Sequence, residues 1–196
     1  MTGGTPTSSK ATRLRLMEVA IELFKRHSVA GTSLQMISDE LGLTKSAIYH
    51  HFRTRDELLD AILEPVLAEV AAIVEAAESH RTARARADHM LTGYAALAAR
   101  NRDLISVLSG DPLVLELLNA KAEWRSIVVR QMRLFSDVEP GVGGQVKAMI
   151  LLSGFAGAAR AEYSQFDGPL DEAAFRDQLI AAGRRTLGLR APRPAD

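Results

Sequence analysis

At 196 residues the chain has room for one large domain or two modest ones with a real core, and 47% hydrophobic residues is ordinary for a soluble protein. It has no cysteine, which rules out disulfides and thiol chemistry and fits a reducing cytoplasm, and a formal net charge of zero, which alone argues against a generic polyanion binder. No stretch reads as long and apolar enough to cross a membrane and the start lacks the apolar core of a signal sequence, so a cytoplasmic protein with no membrane partner is expected.

Residues 1–9 are rich in Gly, Thr, Ser and Pro and are predicted to form a disordered tail. Helix one is predicted over about 10–27, with Leu16, Val19, Ala20, Leu23 and Phe24 on one face at helical spacing. Ser28 to Gly31 break it. Thr32 and Gln35 suggest a capping box for helix two, which turns Leu34, Ile37 and Leu41 inward. Gly42 stops that helix and Thr44 caps the next. This third helix is short. Ile48 and Phe52, four residues apart, point inward, which leaves Lys45, Ser46, Tyr49, His50 and His51 elsewhere on its surface. Such a helix is poor packing material and makes sense as something presented to a partner. Thr44 leads a helix with Ala47 at its third position, so its first amides are left to meet a phosphate. At the next start Thr54 and Glu57 form a capping box that satisfies those amides internally. Between Lys10 and Arg55 there are eight basic and four acidic side chains, a net of +4, which leaves −4 for the rest. A basic N-terminal end on an acidic body suits docking on DNA.

The pattern Thr32-Ser33-Leu34, Ile37, then Leu41-Gly42-Leu43-Thr44-Lys45-Ser46-Ala47-Ile48-Tyr49-His50-His51-Phe52, then Asp56-Glu57-Leu58-Leu59, resembles the DNA-binding domain of the TetR family of transcriptional regulators. The resemblance covers roughly the first third of the chain. Ser28 stands where the family often has glycine, and Ser38 where it often has alanine. The resemblance implies an all-α protein: a three-helix helix-turn-helix domain over 10–55, joined by a long helix to a ligand-binding and dimerisation domain over 56–189. In a helix-turn-helix the second helix of the motif lies in the major groove with its first residues on base edges. Lys45, Tyr49 and His50 are therefore the leading expected DNA contacts, Thr32, Thr44, Ser46 and Arg55 are expected to anchor phosphates, and His51 is a further candidate. Tyr49 has an alternative reading as buried support for the three-helix core.

Helix four is predicted from Thr54 to about Ser79 with a broad apolar face. Pro65 inside it deletes a backbone bond and predicts a kink, either a static bend or a flexure point. A basic turn from His80 leads to helix five, about 83–100, and a short helix over 102–109 ends at Gly110-Asp111-Pro112. One long helix is predicted over 112–135, then a loop over 136–144 with Pro140, Gly141, Gly143 and Gly144. Two last helices, about 145–164 and 170–189, are separated by Phe166-Asp167-Gly168-Pro169, and 190–196 form a frayed tail. Gly154, Gly157, Ala158 and Ala161 lie near one stripe, where small side chains let backbones approach. Resemblance to the family favours a second copy as the partner there, hence a homodimer. Met90, Tyr94, Leu97, Trp124, Val128 and Phe155 sit at positions that could converge on an apolar cavity for a small lipophilic effector. By resemblance, the effector releases a repressor from double-stranded operator DNA.

Catalysis is the rival reading. The histidines lack metal-ligand spacing on a common face, and adjacent His50 and His51 point about 100° apart on a helix and cannot chelate one ion. There is no glycine-rich phosphate loop and no nucleophile elbow. No enzyme activity, cofactor or metal is expected. A helical adaptor would explain a bundle but not the polar presented helix.

Overall fold

The computed structural model describes residues 6–161 and 171–190, all of whose regular elements are α-helices. They are α1 (Pro6–His27), α2 (Leu34–Glu40), α3 (Lys45–His51), α4 (Arg55–Glu78), α5 (Ala83–Arg100), α6 (Arg102–Gly110), α7 (Pro112–Ala120), α8 (Ala122–Ser136), α9 (Val142–Arg160) and α10 (Glu172–Leu187). The chain divides into two compact units, with a boundary inside α4 between Val66 and Leu67, and Val107–Glu116 joined to the N-terminal unit.

In the N-terminal unit, α1 packs on α2 and α2 on α3. Leu16, Ala20, Ile37, Ile48, Phe52, Leu58, Leu59 and Leu63 are buried completely or nearly so, and Val114 of the second segment is fully buried too. α1 starts at Pro6, earlier than expected, so the predicted tail loses residues 6–9 to the helix, and its first five residues lie outside the described ones. Proline is well suited to a helix start, where its missing N–H has no intrahelical partner to lose. α4 runs unbroken past Pro65, whose side chain is exposed between the buried Leu63 and Val66.

In the C-terminal unit α10 packs against α5 and α9, and α8 against α9 and α5. Arg184 of α10 grips Asp88 of α5 with two parallel bonds, Nε to Oδ1 at 2.7 Å and Nη2 to Oδ2 at 3.0 Å. Arg102 at the start of α6 donates to the carbonyls of Ala159 and Ala161 at the end of α9 and lies 5.5 Å from the Phe175 ring.

Three expectations are corrected. The single helix over 112–135 is two, since Lys121 adopts an extended conformation (φ −81°, ψ 113°) between α7 and α8. No glycine or proline marks that break, and the Arg125 side chain holds it by donating to the Asn119 carbonyl. The loop over 136–144 ends early. α9 begins at Val142, and residue 144 in its first turn takes glycine, since a Cβ there would come within 2.1 Å of the Glu139 carbonyl oxygen and 2.2 Å of that of Ser136. Finally, α9 is by length and composition apolar enough to cross a membrane, although only 28% of it is buried. The predicted break at Phe166 to Pro169 and the tail from residue 191 lie outside the described residues.

At Gly183 on α10, a Cβ would meet Leu91 at 2.4 Å and Leu151 at 2.9 Å. Both leucines are buried and have nowhere to retreat. Gly183→Val is therefore expected to cost about 1–3 kcal/mol of stability, read as a lower denaturation midpoint at unchanged slope.

Candidate nucleic-acid interface

The presented surface is built around α3. Thr44 caps it, its hydroxyl oxygen accepting the Ala47 amide at 3.4 Å and lying 3.1 Å from the Ser46 hydroxyl. Gly42 before it has φ 63°, the left-handed conformation that ends α2 and turns the chain. Ile48 and Phe52 are both 0% exposed and pin one side of α3 to the core. The Arg13 guanidinium of α1 sits 4.4 Å from the centre of the Phe52 ring on the other side. Lys45, Ser46, Tyr49 and His50 are exposed, and the Lys45 ammonium lies 5.8 Å from the Tyr49 ring. Tyr49 is 43% exposed, so it is not core support. His51 is half-buried and its ring meets that of His50 edge-on at 5.4 Å. Burial first, then the neighbouring His50 and Arg13, lower the His51 pKa and favour the neutral ring.

Two of the expected phosphate anchors sit differently. Thr32 is 2% exposed, and its hydroxyl donates to the Ser28 carbonyl at 2.8 Å. The cap of α2 is Ser33, whose hydroxyl accepts the Met36 amide at 3.2 Å, so the expected Thr32–Gln35 capping box does not form. Gln35 instead donates to Asp39 at 2.6 Å. Arg55 is turned inward: Nη1 donates to the carbonyls of Val29 at 3.1 Å and Ala30 at 3.2 Å. The cap at Thr54 forms, with the Glu57 amide on its hydroxyl at 3.0 Å, and the Glu57 carboxylate accepts from the Arg53 amide at 2.8 Å.

Arg55 is half of a clamp on the turn between α1 and α2. The other half is Asp111, 8% exposed, whose Oδ2 accepts the Val29 amide at 2.7 Å while Oδ1 accepts the Leu113 amide at 2.9 Å. One carboxylate thus caps α7 and holds the turn. Ser28, beside Val29, takes a left-handed φ of 64°, a conformation more easily reached by glycine, and its hydroxyl accepts the Gly31 amide at 3.2 Å. The Asp111-Pro112 pair is legible in the sequence as a helix start; its second partner, 82 residues away, is not.

Residues 16–62 match the family profile described as bacterial regulatory proteins, tetR family. The N-terminal domain belongs to the TetR family. Within it, the chain is 37% identical over 60 residues to the HTH-type transcriptional regulator AcrR of Shigella flexneri, covering 31% of this chain and 28% of that protein. It is also 37% identical over 60 residues to the HTH-type transcriptional regulator TtgR of Pseudomonas putida, covering 31% and 29% of the two chains. The chain therefore matches well under half of the length of these curated relatives, which are regulators and not enzymes. The likeness of fold extends beyond the TetR-family domain. The ketosteroid transcriptional regulator KstR2 of Mycobacterium tuberculosis has a TM-score of 0.70 at 18% identity, covering 90% of this chain and 93% of that one. A TetR-family regulatory protein from Rhodococcus RHA1 has a TM-score of 0.64 at 21% identity, covering 91% and 98%.

Replacing Asp111 by alanine removes the acceptor for the buried Val29 amide together with the cap of α7. Asp111→Ala is expected to destabilise the protein by about 1–3 kcal/mol, measured by denaturant unfolding, and to expose the Val29 amide to hydrogen exchange.

Proposed function

We propose that the chain is a DNA-binding transcriptional regulator, a homodimeric repressor that a small lipophilic effector releases from a palindromic operator. The observation that carries the reading is α3 itself: a helix anchored by two fully buried side chains that offers Lys45, Ser46, Tyr49 and His50 to solvent. In this reading residues 10–55 bind DNA and 56–189 bind the effector and dimerise. Lys45, Tyr49 and His50 meet bases or phosphates, with Thr44, Ser46 and His51 at the edge of the contact. Thr32, 2% exposed, supports the domain from inside, and Arg55, whose side chain keeps 30% of its surface exposed, holds the neighbouring turn while remaining a candidate phosphate anchor.

Lys45→Ala is expected to weaken binding to every sequence and to reduce the salt dependence by about one ion, because it removes one phosphate neutralisation. Tyr49→Ala is expected to weaken operator binding as well. Both are read by mobility shift across a salt series, and wild-type affinity in both variants would remove α3 from the interface.

The second copy is placed on α9. Val142, Val146, Met149 and Ile150 are exposed along it, and Val129 of α8 is 50% exposed. A Cβ added at Gly154 or Gly157 would meet nothing within 4 Å in the protomer. Ala158 and Ala161 are half-buried near the same stripe. An apolar helix face of this extent is costly in water and suits a self-complementary partner surface. It also accounts for the membrane-like composition of α9 without a membrane. Gly157→Leu is an informative probe, since its Cβ enters open space in the protomer and leucine favours the helix. The expected outcome is a folded monomer in sedimentation with greatly reduced operator affinity; an intact dimer would move the interface elsewhere.

The effector is placed among α5, α8 and α9, which pack on one another. Met90, Leu97 and Phe155 are 4% exposed or less, and Tyr94, Trp124 and Val128 are half-buried. An effector that prefers the DNA-incompetent state a hundredfold supplies about 2.7 kcal/mol per site, enough to shift a marginally held operator.

A further inference from the structure

Among the described residues of the C-terminal unit, Gln131 of α8 is a buried side chain left short of partners. It is 4% exposed, and its Nε2 makes no hydrogen bond. A primary amide buried in this way loses its hydration without recovering the bonds, and such groups in native proteins ask for a reason.

Its neighbour supplies one. The Tyr94 hydroxyl of α5 lies deep beside the Gln131 amide; burial, the larger cause, raises its pKa while the amide acts the other way, so it stays a neutral O–H. The Tyr94 ring is held nearly parallel to Phe155 of α9, 5.7 Å between centres and 8° between planes. On α8, Trp124, Ile127 and Val128 precede Gln131 at helical spacing and are only half-buried, so an apolar strip with accessible surface runs up to the amide. Two of the charged side chains on that helix are engaged elsewhere. Arg130 grips Glu78, with Nε to Oε1 at 2.9 Å, and Arg125 donates to the Asn119 carbonyl. A charged ligand finds no counter-ion in these side chains.

We propose that Gln131 and Tyr94 are the polar recognition pair of the effector site, and that they select an uncharged molecule with an apolar body and a carbonyl-type hydrogen-bond acceptor. The inference rests on the effector-released reading above. Discrimination follows from the unpaired donor: an acceptor-bearing ligand satisfies it, whereas a hydrocarbon of the same shape seals it in without a partner.

The test uses the full chain and three probes of equal length, 2-nonanone, 1-nonene and nonanoate, with affinities from calorimetric titration or thermal shift. Wild type is expected to bind 2-nonanone about tenfold more tightly than 1-nonene, the scale of one buried hydrogen bond, and nonanoate more weakly than the ketone. Gln131→Leu is expected to bind ketone and alkene alike and, having lost an unsatisfied group, to melt no lower than wild type without ligand. Tyr94→Phe, which keeps the ring against Phe155, is expected to lose part of the preference. Wild type binding ketone and alkene equally, or Gln131→Leu keeping the preference, overturns the recognition pair and leaves the effector site standing. Tighter binding of nonanoate overturns the uncharged class. Failure of all three probes to bind wild type overturns the site and the pair together.

Discussion

A seven-residue helix does not hold itself together in water, because the cost of nucleating the first turn is recovered only over many residues. α3 therefore exists by virtue of what it is fastened to. Ile48 and Phe52 supply the fastening, with no accessible surface on either, and Thr44 closes the first turn. Everything the helix offers outward depends on that inner pair, since the side chains of Lys45, Tyr49 and His50 are aimed by a backbone they do not themselves stabilise. The layers behind it, α1 through Arg13 and Phe24 and α4 through Leu58 and Leu59, make the small domain rigid enough for such a short element to keep its direction.

The C-terminal unit is held on different terms. Its helices meet through close approach, as at Gly183, and through charge clamps such as Arg184 on Asp88. The hydrogen bonds between that pair push the arginine pKa further upward. Exposed pairs contribute little stability individually, but a two-pronged guanidinium fixes the register of one helix on another. What this unit leaves uncovered is as specific as what it covers: one long side of α9 carries valine, methionine and isoleucine outward beside glycines with open space.

The parts legible in the sequence are those governed by local rules. The spacing of Ile48 and Phe52, the caps at Thr44 and Thr54, the bounds of α5 and the inward faces of α1 and α4 follow from periodicity and capping chemistry, and the structure agrees with them. The misreadings fall where a distant group decides. Thr32 and Ser33 are both good caps on paper; tertiary burial of Thr32 leaves the task to Ser33. Arg55 has the character of a phosphate anchor, and nothing local shows that the carbonyls of Val29 and Ala30 also engage it. The break at Lys121 carries no glycine or proline, so a periodic pattern runs through it. Gln131 passes as an ordinary helix residue because nothing local shows that its amide ends in the core.

The Val29 peptide is gripped from both sides, its N–H by Asp111 and its C=O by Arg55. The two grips arrive at different times in the life of the chain. Arg55 leaves the ribosome soon after the turn it holds, but Asp111 lies 82 residues beyond Val29, so throughout the intervening synthesis the N–H of Val29 has no carboxylate to answer it. The unit that carries α3 is thus completed from a segment lying beyond α4 and α5, and a nascent chain that stalls before that segment holds every residue of α3 without the Asp111 grip on the turn behind it.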